Sequence, residues 1–427
     1  MDIQGIVTLT VFSATFLAIF SGRLHRAIAS AGGAVAIVVA GKFLSFYSEE
    51  MAIEAINFNT LGLLIGMMIL VGILKRTGFF EYLSIVVAKR AGERQFTLFL
   101  ALCGLTAVSS AILDNVTTIV LVAPMTLAIA DNLGVSATPY LMGEAMTSII
   151  GGMGTLVGDP PNIIIGSAAG LSFNSFLIHL APASVILWAI STFIFWLMFR
   201  FTPVSEEKIS ALRQMEPRKA LQDYKSAKRS IVTIGMVVIL YLTHSYLNLE
   251  TGLVALIGAT VALLWIRPDV KKALESIEWD AILFLSGLFV VVGGVEAAGL
   301  LDEAARVLGT GLASREFLAP ILLVWTAGIL SAVIDNIALT VAMVPILSGL
   351  GGVAAGNYLW WALAMGAALG GAASPVGSSS NVVAMSVSER SEQAIKSLDW
   401  LKVGIPVAVA NLSVASLFLL FMIWVGY

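Results

Sequence analysis

The chain has 427 residues, 58% of them hydrophobic and 12% charged, with a formal net charge of −3 and a mean hydropathy of +0.95. Soluble domains carry about 25% charged residues, so the composition excludes a water-soluble globular protein, and the net charge excludes a broadly basic nucleic-acid surface. A single cysteine, Cys103, lies in an apolar run and excludes a disulfide framework or a cysteine metal site.

A membrane-crossing helix takes about 20 mostly apolar residues. The first such run is 6–21; Arg23 and Arg26 follow it in place of a small-residue cleavage site, so it reads as a retained span. Runs 27–47 and 60–74 come next, then 78–91, which reads as an amphipathic helix on the membrane surface. The long stretch 96–168 divides into a hairpin over 97–130 and a broken helix over 138–168, and 177–199 completes a first half, 1–200. A charged linker, 201–230, leads to the second half, 231–427, which repeats the order: 231–247, 251–266, 281–297, a hairpin over 317–348, a broken helix over 358–386, and 403–425. Each half then has five spans and one re-entrant hairpin. With the N-terminus outside, 21 of the 24 Lys and Arg residues fall on inside segments. The linker is thus expected in the cytoplasm and both termini outside.

The two halves share more than their order. Ser110-Ala111-Ile112-Leu113-Asp114-Asn115 recurs as Ser331-Ala332-Val333-Ile334-Asp335-Asn336, and the same offset pairs Gly66 with Gly287 and Pro124 with Pro345. Two residues less pairs Gly151-Gly152 with Gly370-Gly371, Gly158 with Gly377 and Asn162 with Asn381. An odd number of spans per half inverts one repeat relative to the other, the architecture of many alternating-access transporters. Duplication for packing alone explains Gly62-x-x-x-Gly66; it does not explain Asp-Asn kept in the middle of apolar runs.

The polar residues concentrate in these repeated elements. Asp114-Asn115 and Asp335-Asn336 are expected at hairpin tips, with Thr117 and Thr118 just beyond the first. A carboxylate inside a membrane costs ~2.5–3.5 kcal/mol on insertion scales and is a functional candidate by default; the blander alternative is an Asp that only caps the following helix. Residues 151–162, Gly-Gly-Met-Gly-Thr-Leu-Val-Gly-Asp-Pro-Pro-Asn, hold glycines and prolines that must interrupt a helix, and 370–381 hold Pro375. Unwound backbone at that depth frees polar groups to face a solute. Ser378 stands where Asp159 stands in the first half, so the frame is symmetric and the charge is not. Asp114, Asn115, Thr117, Thr118, Asn162, Asp335, Asn336, Ser378 and Asn381 are the solute-binding candidates. Asp114, Asp335, Asp159 and Glu144 are the proton-coupling candidates.

Ser-Ala-x-x-Asp-Asn-Val-Thr-Thr followed by Gly-Asp-Pro-Pro-Asn-Ile-Ile-Ile-Gly-Ser resembles the ion transporter superfamily, in the branch of arsenite permeases (ArsB), P-protein-like permeases and NhaD-type sodium/proton antiporters. The resemblance implies a scaffold and a transport part in each half, hairpins opening to opposite sides and elevator-like movement. Relatives in this branch often read Gly-Gly-Asn-Gly-Thr in the second loop, from which Gly370-Gly371-Ala372-Ala373-Ser374 departs. The dicarboxylate branch has Ser-Asn-Thr at its tips; Asp in place of that Ser at both tips disfavours a di-anion by like-charge repulsion.

The expected activity is arsenite or antimonite efflux in exchange for protons, with cation/proton antiport as the alternative. An intramembrane enzyme is not expected, because the motifs hold no His or Cys to act as nucleophile, base or metal ligand. The expected partners are the small inorganic solute, protons and the lipid bilayer, with no cofactor. The chain has no phosphate-binding Gly-x-x-x-x-Gly-Lys loop of its own; by resemblance a cytoplasmic arsenite-stimulated ATPase is a candidate partner, and a homodimer a candidate assembly. The expected location is the bacterial inner membrane.

Overall fold

A computed structural model describes residues 3–21, 23–91, 94–202, 216–300, 317–349, 356–390 and 394–426. The middle of the linker, with Lys208 and Arg213, and the segment carrying Arg306 and Arg315 lie outside the described residues. What is described is built of α-helices, as the apolar runs require: a lipid-embedded backbone must satisfy its own hydrogen bonds.

The first half comprises α1 (Ile3–Phe20), α2 (Arg26–Leu44), the short α3 (Glu49–Glu54), α4 (Phe58–Lys75) and the amphipathic α5 (Phe79–Ala91). The hairpin α6 (Gln95–Ser110) and α7 (Asn115–Leu133) follows, then the broken pair α8 (Thr138–Met153) and α9 (Pro160–Ala169), α10 (Phe173–His179) and α11 (Ala181–Met198). The second half has α12 (Pro217–Ala220), α13 (Tyr224–Leu247), α14 (Thr251–Ile266), α15 (Val270–Leu274) and α16 (Trp279–Ala297). It continues with the hairpin α17 (Leu318–Ser331) and α18 (Asn336–Gly349), the broken pair α19 (Gly356–Gly371) and α20 (Ser379–Ser388), and α21 (Ser397–Val425).

Among the described residues seven helices are by themselves long and apolar enough to cross a membrane. The other expected spans are the shorter α1 and α14 and the two broken pairs. One difference concerns α7, which at 19 residues is among the seven although its apolar run is short. The polar tip residues explain it: Asn115 is the first residue of the helix rather than part of a turn, so the arm is longer than its apolar stretch.

The halves interlock reciprocally. α4 packs on α14 and α2 on α16, each pairing a helix of one half with one of the other. Small residues make this approach feasible: a Cβ on Gly66 would lie 2.7 Å from both the carbonyl oxygen and the methyl of Ala255, so Gly66 packs directly on the Ala255 backbone. The hairpins and broken helices exchange partners in the same way, α7 lying against α20 and α18 against α9. Asn411 of α21 donates to Ser191 Oγ of α11 at 2.8 Å in the interior. Outward faces carry exposed Leu17, Val35, Phe43 and Leu417, and the helix ends carry exposed Trp265, Trp279 and Trp424, an arrangement suited to lipid tails and the headgroup boundary.

Candidate functional site

Each tip is built by its own carboxylate. Asp114 caps α7, its Oδ1 accepting from the Thr117 amide at 2.7 Å, and Asp335 Oδ1 accepts from the Ile337 amide at 3.0 Å. The capping role read from the sequence as the blander alternative therefore occupies one oxygen of each tip aspartate. Asp335 Oδ2 accepts from Ser379 Oγ at 3.3 Å. Thr117 lines the central cavity, whereas the Thr118 hydroxyl turns back to the Asp114 carbonyl at 2.8 Å.

The broken helices are stapled to the hairpins by a symmetric pair of hydroxyls. Thr155 Oγ1 donates to the Ala111 carbonyl at 2.5 Å and accepts from the Gly158 amide at 3.1 Å. Ser374 Oγ does the same with Ala332 at 2.5 Å and Gly377 at 3.1 Å. Asn162 and Asn381 complete each break: Asn162 Nδ2 donates to the carbonyls of Met153 and Thr155, and Asn381 Nδ2 to those of Gly371 and Ser374, at 2.8–3.0 Å. Both are fully buried, their Oδ1 atoms have no hydrogen-bond partner among the described residues, and neither side chain lines the central cavity. Their donors satisfy the carbonyls that unwinding releases.

Asp159 is the centre of the arrangement. It occupies the N-cap position of α9 without making a cap bond. The following Pro160 and Pro161 have no N–H to offer, and the Asn162 amide is already taken by the Asp159 carbonyl at 2.9 Å. The carboxylate is thereby released from local capping and turns to the two tips. Its Oδ1 accepts from Asn115 Nδ2 and its Oδ2 from Asn336 Nδ2, each at 3.4 Å. One carboxylate, 1% exposed, thus joins hairpins from opposite halves. The positive end of α9 adds favourable potential for a negative charge there. Ser378, the counterpart in the second half, pairs instead with Ser380 at 3.0 Å.

These residues line a cavity of about 300 Å³ bounded by Asp114, Asn115, Thr117, Asp159, Asn336 and Ser378 from the motifs. Its remaining wall comes from α4 and from the start of α16, and its mouth carries Arg26, Lys75, Glu275 and Glu278. Arg26 was legible in the sequence only as a topological charge. In the fold its guanidinium lies 4.0 Å from Asp335 and 3.9 Å from Asp280, 5.5 Å over the Phe284 ring. Glu278 was not singled out by sequence because it precedes a span with no motif around it. Its side chain is exposed at the rim, yet desolvation by the surrounding walls, then the charges of Asp114 and Asp280, push its carboxyl up to about 7 against the opposing pull of Arg26 and Lys75. Glu144 stands apart: it is fully buried, accepts from Thr126 Oγ1 at 2.5 Å, and does not line the cavity. Among the described residues no group of His, Cys, Asp and Glu is placed to hold a metal ion.

Residues 16–366 match the CitMHS family, described as citrate transporters. The chain belongs to the citrate transporter family. Over 99% of both chains it is 35% identical to a 46 kDa membrane protein of Mycobacterium leprae, and 34% identical to an uncharacterized transporter of Mycobacterium tuberculosis. The human P protein is 26% identical over 98% of this chain and 60% of its own length. The fold is shared with the YdaH transporter of Alcanivorax borkumensis, at a TM-score of 0.65 and 12% identity over 87% of this chain and 86% of that one. It is shared also with MtrF of Neisseria gonorrhoeae, of a class of antimetabolite efflux pumps, at 0.59 and 14% over 85% and 81%. This family member is therefore a multi-pass membrane transporter and not an enzyme. The P-protein likeness read from the motifs holds, while the family matched is that of citrate transporters; the arsenite reading rests on the motif resemblance alone.

Proposed function

We propose that this transporter moves a small inorganic solute in exchange for protons, with Asp159 as the group that binds and releases the proton. The observation that carries the reading is the double contact of Asp159 with Asn115 and Asn336. An ionised carboxylate only accepts hydrogen bonds, so it takes an amide donor on each oxygen; a protonated one gains an O–H donor, which is matched when one amide turns its oxygen inward. Protonation of Asp159 is thereby tied to the geometry of both hairpin tips, and a solute between the tips competes for the same amides. Movement of the hairpins and broken helices against α2, α4, α14 and α16 then carries the site between the two faces, with the mouth at Arg26 and Lys75 on the cytoplasmic side.

The motifs favour arsenite or antimonite as cargo, a neutral polyol that suits amide, hydroxyl and carboxyl partners. Cation/proton antiport is the second reading, favoured by the carboxylates of Asp114 and Asp159 on the cavity wall and of Asp335 at the second tip. A free citrate anion meets like charge on those walls. The deciding experiment is uptake into everted vesicles of arsenite, of sodium and lithium, and of citrate, each with and without a pH gradient, beside arsenite and sodium tolerance of an efflux-deficient host. Proton-dependent arsenite uptake supports the leading reading; sodium or lithium uptake selects the second; citrate uptake overturns both.

A further inference from the structure

A second polar cavity lies at the opposite end of α4 and meets the site described above at Leu63 and Ile163. Asn57, Asn59 and Thr60 from the start of α4, Ser167 from the far end of α9, His244 from the last turn of α13 and Glu250 from the α13–α14 connection line it. It is a built pocket rather than a surface dent. Asn57 Nδ2 donates to Ser167 Oγ at 2.5 Å, and Asn59 Oδ1 accepts from the Gly252 amide at 2.6 Å. The Thr60 hydroxyl is buried and has no hydrogen-bond partner among the described residues.

The order of lining residues along two helices relates the two cavities. On α4 the far pocket takes Asn57 to Leu63 and the central cavity takes Leu63 to Lys75. On α9 the central cavity takes Asp159 to Ile163 and the far pocket takes Ile163 to Ser167. Leu63 and Ile163 therefore line both, and they are 1% and 4% exposed. At 1.5 Å of rise per residue, Leu63 stands roughly 18 Å from Lys75 and about 9 Å from Asn57. These two branched apolar side chains are the wall that the two cavities share, and the cavities together run the length of α4. An apolar constriction of that kind bars water, and with it a hydrated solute, without needing a thick wall.

We propose that the far pocket is the second mouth of the translocation path and that Leu63 with Ile163 is the plug between the mouths. The far mouth is lined mainly by amide and hydroxyl groups and fits a small polar solute, neutral or monovalent. A bulky polycarboxylate would also have to pass Glu250. Because α4 belongs to the stationary helices and α9 to the moving ones of the mechanism proposed above, sliding one past the other parts the plug. The inference rests on that reading of transport, but access can be measured without knowing the cargo.

The test is thiol labelling of the full-length protein in oriented vesicles, in a Cys103→Ala background, with an impermeant methanethiosulfonate. Ser167→Cys is expected to react from the face opposite to the one that labels Lys75→Cys. Leu63→Ala, or the milder Ile163→Val should the first not insert, is expected to let the reagent reach Val116→Cys on the central cavity wall from the far face, several-fold faster than with the plug intact. Labelling of Ser167→Cys and Lys75→Cys from one face, no labelling of Ser167→Cys from either, or an unchanged rate at Val116→Cys in an inserted plug variant would each overturn the proposal. Failure of every cargo to move in flux assays would sink the transport reading and leave the labelling pattern to be judged by itself.

Discussion

At the scale of single residues, the division of labour among three aspartates is the central feature. Asp114 and Asp335 each spend one oxygen on the helix they start, whereas Asp159 spends none locally and reaches both tips. Asp159→Asn is therefore expected to lower proton-driven transport by roughly tenfold or more with insertion unchanged, since an amide cannot take up and release the proton. Asp114→Asn and Asp335→Asn also remove a charge but keep a capping oxygen, so they should insert normally and weaken transport less than Asp159→Asn. Proton-dependent uptake in everted vesicles measures all three; wild-type pH profiles in all of them would move the proton pathway elsewhere, with Glu144 next in line. Glu278 makes a separate prediction. With its carboxyl pushed up to about 7, it is neutral below that pH and negative above it. The mouth gains a negative charge as pH rises through about 7, which attracts a cation and is indifferent to a neutral solute. Glu278→Gln is expected to remove the step near neutrality from the KM-against-pH profile of a cation, and to leave that of arsenite flat.

At the scale of elements, the hairpin and the broken helix of each half behave as one unit because their backbones touch. A Cβ on Gly158 would meet the Ser110 carbonyl oxygen at 2.6 Å, and one on Gly377 would meet that of Ser331 at 2.7 Å. The obstructing atoms are backbone, which cannot rotate aside. Gly158→Ala and Gly377→Ala are each expected to destabilise the protein by about 1–3 kcal/mol, read as a lower thermal midpoint in detergent, where Gly235→Ala, with open space around it, changes little. The glycines that make this unit were visible as a repeated pattern, whereas Thr155 and Ser374 stood only within the loops 151–162 and 370–381. The role of these two as staples was not visible, because a hydroxyl at that spacing does not announce which carbonyl on another helix it will meet.

At the scale of the whole molecule, the reciprocal packing of α4 on α14 and α2 on α16 joins the halves, and Asn57 with Ser167 bridges this packing to the broken helix α9. If the two parts slide past each other, a disulfide between Asn57→Cys and Ser167→Cys must stop transport, and reduction must restore it. Uptake at the uncrosslinked rate with the bridge formed would mean that α4 and α9 move together.

The sequence by itself determined the medium, the helical class, the two halves and the identity of the repeated polar motifs, because hydropathy and self-similarity are local properties that need no partner. It also marked Asp114, Asp159 and Asp335 as out of place in lipid. The tertiary structure decided which of those residues meet. Asp159 joins Asn115, 44 positions away, to Asn336, 177 positions away, and no periodicity encodes a contact between halves. It likewise decided that Asn162 and Asn381 hold the breaks closed, and that Arg26 and Glu278, unremarkable in their own segments, guard the mouth. Burial and hydrogen bonding depend on what the rest of the chain brings alongside, and that is settled only when the inverted halves interlock.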